Sequence, residues 1–244
     1  MWFWAAYLVT THTPGMSALQ FQRQMAISNY ETAFLMLHKL RAAMVRDNHE
    51  LLHGTIEIDE TYIGGARKGK AARGALGKVI VAGAVEVHGE YPGRVRLQVI
   101  PNVSGSVLGR FVLGNVQQGS VVLTDGFKGY SFMPELGYEH SAVIIGDRER
   151  ASKLFPHIHR VFSNLKTWLL GTHHGVSPQH MQAYLNEYTF RFNRRKTPMA
   201  AFKTILGLTD ERLGPTSAGL YGVAKKGVNA GSVWKHPIHS VLGS

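Results

Sequence analysis

No stretch of this chain constrains its fold more than Thr55 to Gly65, which reads Thr-Ile-Glu-Ile-Asp-Glu-Thr-Tyr-Ile-Gly-Gly. Ile56 and Ile58 alternate with Glu57 and Asp59, β-branched residues dominate, and two glycines end the run, so the pattern predicts a short β-strand. Three acidic residues, Glu57, Asp59 and Glu60, fall in this strand, in a chain with 27 Lys and Arg against 16 Asp and Glu. Carboxylates held in a strand cost free energy unless a cation offsets them, and a divalent metal ion is the usual answer. The other reading is an exposed edge strand with solvated carboxylates. The local sequence leaves both open.

Composition narrows the choice. A chain of 244 residues with 44% hydrophobic residues can build a sizeable core, which excludes wholesale disorder. The formal net charge of +11 favours a polyanionic partner, either nucleic acid or an anionic membrane surface. The absence of cysteine excludes disulfides, thiolate zinc sites and a cysteine nucleophile, while 13 histidines stand as possible ligands. The apolar opening from Met1 to Val9 falls far short of the roughly 20 residues that span a bilayer. It also lacks the basic start and cleavage site of a signal peptide. The expectation is a soluble cytoplasmic protein without membrane contact, whose first residues begin partway through a packed element.

Taken in order, Ser17 is a plausible N-cap for a helix from Ala18 to Met25, and Ser28 or Asn29 caps a longer one to Met44. Ala33, Leu37, Leu40 and Met44 share a face of the second helix. Two helices joined by a tight turn are the parts of a helix-turn-helix, with Tyr30, Glu31, Thr32, Lys39, Arg41 and Arg46 as polar contacts. An ordinary αα-hairpin has the same pattern. After the acidic strand, Arg67, Lys68, Lys70, Arg73 and Lys78 lie among glycines and alanines, a basic loop suited to a phosphate backbone, or a plain hairpin tip. Val79 to Val87 is a buried strand, and Arg94 to Ile100 alternates as a half-exposed one. Ser104 or Ser106 caps a helix carrying Val107, Leu108, Phe111 and Val112. Ser120 to Asp125 is a fourth strand and Tyr138 to Ile145 a fifth. A helix follows from Phe155 to Leu170, stopped by Gly171. Ser177-Pro178 opens another, which runs through Tyr188 to the basic end at Arg194, Arg195 and Lys196. A short helix spans Met199 to Leu206, and beyond Thr209 the chain reads as loosely ordered. The fold class is α/β. The expected division is a helical segment over 1–52, a catalytic domain over 53–207 and a tail over 208–244.

Asp59 lies in the first strand and Asp125 closes the fourth. With those strands adjacent, the two carboxylates approach each other, and Mg²⁺ held by their oxygens relieves the repulsion. Two such ions can polarise an attacking hydroxyl and a leaving oxygen in phosphoryl transfer. An Asp before Gly is also a common turn, so Asp125 alone is weak evidence.

Four ordered blocks carry a family resemblance: Glu57-Ile-Asp59-Glu-Thr-Tyr-Ile-Gly-Gly65, Leu123-Thr-Asp125-Gly-Phe-Lys-Gly-Tyr130, His159-Arg-Val-Phe-Ser-Asn-Leu-Lys166 and Tyr188-Thr-Phe-Arg-Phe-Asn-Arg-Arg195. Together they resemble insertion-sequence transposases of the DDE superfamily, in the ISXO-like branch, over residues 1 to 207. The resemblance implies a ribonuclease-H-like mixed five-stranded sheet flanked by helices, two-metal catalysis, and strand nicking and strand transfer on double-stranded DNA at element ends and target. It further implies a homo-oligomer on DNA, at the nucleoid. By the same resemblance Asp59 and Asp125 are the first two metal ligands. The superfamily usually supplies a Glu on the late helix with a Lys or Arg two turns on. Here the slot holds His159, with Lys166 seven residues later on the same face. Asn164 is the competing third ligand, about 140° round the helix from His159. An imidazole ligand lets Mn²⁺ serve as well as Mg²⁺.

Catalytic roles therefore fall to Asp59, Asp125, His159 and Lys166, with Glu57 and Glu60 in support at most. DNA contacts are expected from Lys39, Arg41, Arg67, Lys68, Lys70, Arg73, Lys128, Arg194 and Arg195. Relatives often carry a cysteine zinc module before the helix-turn-helix, and this chain has no cysteine, which points to a truncated or mis-started product. A non-catalytic DNA-binding remnant, and a metal-dependent nuclease without strand transfer, are the competing readings.

Overall fold

A computed structural model describes residues 1–12, 15–45, 49–64, 78–143 and 155–208. Five strands, β1 (Thr55–Ile63), β2 (Val79–His88), β3 (Tyr91–Ile100), β4 (Val121–Asp125) and β5 (Glu139–Val143), form one sheet in the order β3-β2-β1-β4-β5. β1, β2 and β3 are a meander of antiparallel pairs, whereas β4 runs parallel to β1 and β5 parallel to β4. A parallel pairing after a meander needs a crossover, and it contains helix α4 (Gly105–Asn115). This mixed sheet, with helices on both faces, is the ribonuclease-H-like plan.

The strand register positions the site. Thr55 pairs with Val121 and Glu57 with Leu123. Two residues further along each strand stand Asp59, midway along β1, and Asp125, at the end of β4, so the parallel pairing carries both carboxylates equally far along neighbouring strands.

β2 is apolar throughout because both its faces are covered. Ala82 and Ala84 face α4, packing with Ile56, Ile58, Leu108, Phe111 and Val122. Val81 and Val85 face the other side, where helix α5 (Pro156–His173) brings Ile158, Val161, Phe162 and Leu165, and helix α6 (Met181–Asn193) brings Tyr184 and Leu185. β3 is the edge of this half: Val95 is fully buried while Gln98 is exposed.

A third core joins the two ends of the described chain. α1 (Trp2–Thr11), α2 (Ala18–Gln24) and α3 (Tyr30–Ala43) pack Ala5, Phe21, Leu37 and Leu40 against Phe190 of α6 and Phe202 and Ile205 of α7 (Pro198–Leu208). The apolar opening of the sequence is thus a helix that buries Ala5, Ala6 and Val9 and leaves Trp2, Phe3 and Trp4 exposed. Ser17 caps α2 by accepting from the Gln20 amide, Asn29 caps α3 by accepting from the Glu31 amide, and Ala26 turns the chain between them at φ 50°. No helix among the described residues is long and apolar enough to cross a membrane.

Some boundaries differ from the sequence reading. Gly171 does not stop α5, which continues to His173 and ends at His174 in the left-handed region (φ 54°). The ring of His173 packs edge-on to Tyr184 at 4.7 Å and to Trp168 at 4.6 Å, contacts that hold the last turn against α6 despite the glycine. Ser177-Pro178 opens a 3-10 turn, and α6 begins only at Met181.

Candidate active site

Strand alternation turns Glu57 and Asp59 of β1 toward α5. Glu57 is 2% exposed, and its Oε2 accepts from the backbone amides of His157 at 3.0 Å and Ile158 at 2.8 Å. Those amides lie in the first turn of α5, where no intrahelical acceptor exists. Burial pushes the Glu57 carboxyl above its usual range, and the two amides oppose that shift.

The next residue of α5 is His159, whose Nδ1 stands 3.6 Å from Asp59 Oδ2. What permits this approach is Gly83, in register with Asp59 on β2. A Cβ there would lie 2.7 Å from Phe162 Cε1 and 2.9 Å from Ile158 Cδ1, so α5 rests directly on the β2 backbone on either side of His159. Gly83→Val is therefore expected to lift α5 off the sheet, costing about 1–3 kcal/mol in urea unfolding and separating His159 from Asp59. Unchanged unfolding would show that the helix does not sit on this glycine.

The electrostatics of the site are those of a carboxylate pair with too little positive charge. Asp59 is raised to about 7, first by burial, then by the charges of Glu60 and Asp125, against the Glu60 amide and Lys166. Burial depresses His159, with Lys166 adding and Asp125 opposing, so at neutral pH the imidazole is uncharged and can offer a lone pair. His159 Nε2 is buried and has no hydrogen-bond partner among the described residues. Asp125 closes β4 and accepts at Oδ1 from the Phe127 amide at 3.3 Å, which folds the following turn. That turn is tied to β1 by Tyr130, whose hydroxyl donates to Glu60 Oε2 at 3.0 Å. Lys166 lies two turns beyond His159. Lys166 is exposed, but desolvation still lowers its proton affinity; Asp59 opposes this, and Lys78 at the entry to β2 adds to it.

Among the described residues, no three His, Asp or Glu side chains already stand close enough to hold a metal ion. The donor set nevertheless fits one. Two carboxylates and a neutral imidazole are hard-to-borderline ligands suited to Mg²⁺ or Mn²⁺. Burial and the charges of Glu60 and Asp125 raise Asp59, and a cation bound there would oppose that shift.

The other expected residues divide. Lys39 is exposed on α3, its Nζ 6.0 Å from the Trp2 ring, and Lys128 is exposed on the turn after Asp125. Arg194 and Arg195 stack over Phe190 and Phe192 at 4.1 and 4.3 Å, and Arg195 also donates to the Pro92 carbonyl. Asn164 is exposed on α5. Arg67, Lys68, Lys70 and Arg73 lie outside the described residues.

Arg41 requires correction. It is 1% exposed, with Nε 2.8 Å from Glu187 Oε2 and its guanidinium 3.9 Å above the Tyr184 ring, so it braces α3 against α6 and offers no face to a phosphate. Sequence reading missed Gly83 and gave no role to Tyr130. Gly83 did carry a signal, a lone glycine inside an apolar strand.

Sheet order and the helices on both faces define the class, an α/β domain on the ribonuclease-H-like plan. Residues 51–193 match the family model of the ISXO2-like transposase domain, and the chain belongs to that family. No curated protein matches it. Two solved structures are similar at low score. The catalytic core domain of BIV integrase is 17% identical, covering 70% of this chain and 94% of that one, with a TM-score of 0.33. The Mos1 strand transfer complex is 11% identical, covering 86% and 79%, with a TM-score of 0.32. At such scores neither adds to the fold, which rests on the sheet order and the family.

Proposed function

We propose that this chain is a DNA transposase that nicks the end of an insertion sequence and joins the freed end to target DNA. The observation that carries this reading is the approach of His159 to Asp59, with Asp125 closing the adjacent strand, in a chain of net charge +11. Asp59, Asp125 and His159 would hold Mg²⁺ or Mn²⁺, which when bound would activate the attacking oxygen and stabilise charge on the leaving one. Water adds to a phosphodiester at the element end, the P–O3′ bond breaks, and the departing oxygen takes up a proton as a 3′-hydroxyl. In the second step that hydroxyl attacks a target phosphate in the same site. Lys166, on the face of α5 that bears His159, would hold a DNA phosphate in line. Lys39, Lys128, Arg194, Arg195 and the basic residues 67–73 would follow the backbone, making affinity fall steeply with salt. The protein would act on double-stranded DNA as a homo-oligomer, in the cytoplasm at the nucleoid.

The test is cleavage of duplex DNA carrying an element end by the purified protein with Mn²⁺ or Mg²⁺. Asp59→Asn, Asp125→Asn and His159→Ala should each slow it by more than the roughly hundredfold lost when a supporting hydrogen bond around a metal is removed. Undiminished cleavage by Asp59→Asn and Asp125→Asn would overturn the mechanism. A second reading, a DNA-binding remnant with an inert site, draws on the lack of a closed three-ligand group among the described residues. It requires DNA binding in a protein that takes up neither metal ion.

A further inference from the structure

We propose that Glu57 and Glu60 are positioning residues for the site, each gripping the element that carries one partner of Asp59. Glu57 holds the helix of His159, and Glu60 holds the turn that follows Asp125. The inference rests on the metal-site reading above.

The geometry is divided between the two faces of β1. On one face, Glu57 Oε2 takes the amides of His157 and Ile158. Pro156 ahead of them has no N–H to offer, and the His159 amide already reaches the Phe155 carbonyl. Glu57 thus satisfies the donors immediately before the imidazole, and its charge complements the positive end of the helix. Asp59 lies two residues along the same face, so anchor and ligand share one rigid strand. On the other face, Glu60 Oε2 accepts from Tyr130, which is fully buried and ends the turn that begins at Asp125. Three acids in one strand therefore have three different jobs: Asp59 faces the reaction, and its two neighbours fix the distances from it to His159 and Asp125. Burying the Glu57 carboxylate is costly, and its contact and that of the half-buried Glu60 each join elements far apart in sequence.

The experiment measures Mn²⁺ affinity, by electron paramagnetic resonance of free Mn²⁺, under conditions where urea unfolding shows each variant to be fully folded. Glu57→Leu should weaken binding about tenfold or more, the range for lost outer support of a metal site. Glu57→Gln, whose carbonyl can still accept both amides, should stay near wild type. Tyr130→Phe removes one oxygen from an otherwise intact core and should also weaken binding severalfold. A residue that serves only stability would shift the unfolding midpoint and leave Mn²⁺ affinity alone. Wild-type affinity in folded Glu57→Leu, or in Tyr130→Phe should Glu57→Leu not fold, overturns the proposal. Asp59→Asn is the reference. If it too binds Mn²⁺ like wild type, the metal-site reading falls with it, whereas loss in Asp59→Asn alone sinks only the positioning roles.

Discussion

Arg41→Ala is expected to destabilise the protein by about 3–5 kcal/mol, the cost of leaving one half of a buried ion pair without its partner. Arg41 and Glu187 are 1% and 2% exposed, and their 2.8 Å contact links α3 to α6 across 146 positions of sequence. Removing the guanidinium strands the Glu187 carboxylate among Tyr184, Leu185 and the helices that enclose it, and Glu187→Ala strands the arginine in the same way. Since native stabilities are commonly about 5–15 kcal/mol, either change should bring much of the chain to the edge of unfolding. The double variant Arg41→Met/Glu187→Leu, which fills the space with apolar atoms, should recover most of the loss. Urea denaturation of the four proteins makes a thermodynamic cycle with a large coupling energy as its expected result. If Arg41 served DNA instead, Arg41→Ala would keep wild-type stability and lose affinity for duplex.

That contrast shows where sequence legibility ends. The strands were readable because their signals are local. Alternation at Ile56 and Ile58 and the continuous run from Val79 to Val87 each follow from how one segment is covered. The placement of Asp59 in a strand and of Asp125 at a strand end was readable for the same reason, and the seven-residue spacing of His159 and Lys166 follows from the helix itself. Arg41 was misread because nothing near it in the chain announces Glu187, and an arginine on a capped helix looks like a solvated one. For Glu57 the sequence allowed a supporting role at most, and what it supports shows only in its contacts with the amides of His157 and Ile158, a hundred residues on. Gly171 failed for the opposite reason, since its local stop signal is real and packing of His173 on Tyr184 overrides it. Local rules thus recover elements and candidate ligands, while the contacts that set distances between elements emerge only from the fold.

Mild acid should unfold the helical end of the protein, provided the opposing effect of Asp59 is removed. His38 is 3% exposed, packed against Phe34, His180 and Tyr184, and burial lowers it to about 3, with Arg41 and His180 adding to the effect. Burial likewise lowers His173 to about 4, Glu187 opposing and Arg41, Arg191 and His174 contributing. Both histidines ionise near 6.5 in the unfolded chain, so below that value the unfolded state binds more protons and stability falls with pH. The loss begins near pH 6.5 and levels off only below about 4 for His173 and about 3 for His38. At pH 5 the linkage relation gives about 2 kcal/mol for each of His38 and His173. Asp59 acts in the other direction. Raised to about 7, it destabilises the metal-free fold when ionised, and the penalty is relieved as pH drops through that value. In wild type the two trends partly cancel between pH 7 and 5. In Asp59→Asn that opposing trend is gone, and urea unfolding should show a loss of about 4 kcal/mol over that interval. Adding His38→Phe should remove about half of the slope by the same linkage. A flat profile in Asp59→Asn would mean that these imidazoles are protonated inside the fold, and that the Arg41 cluster tolerates further positive charge.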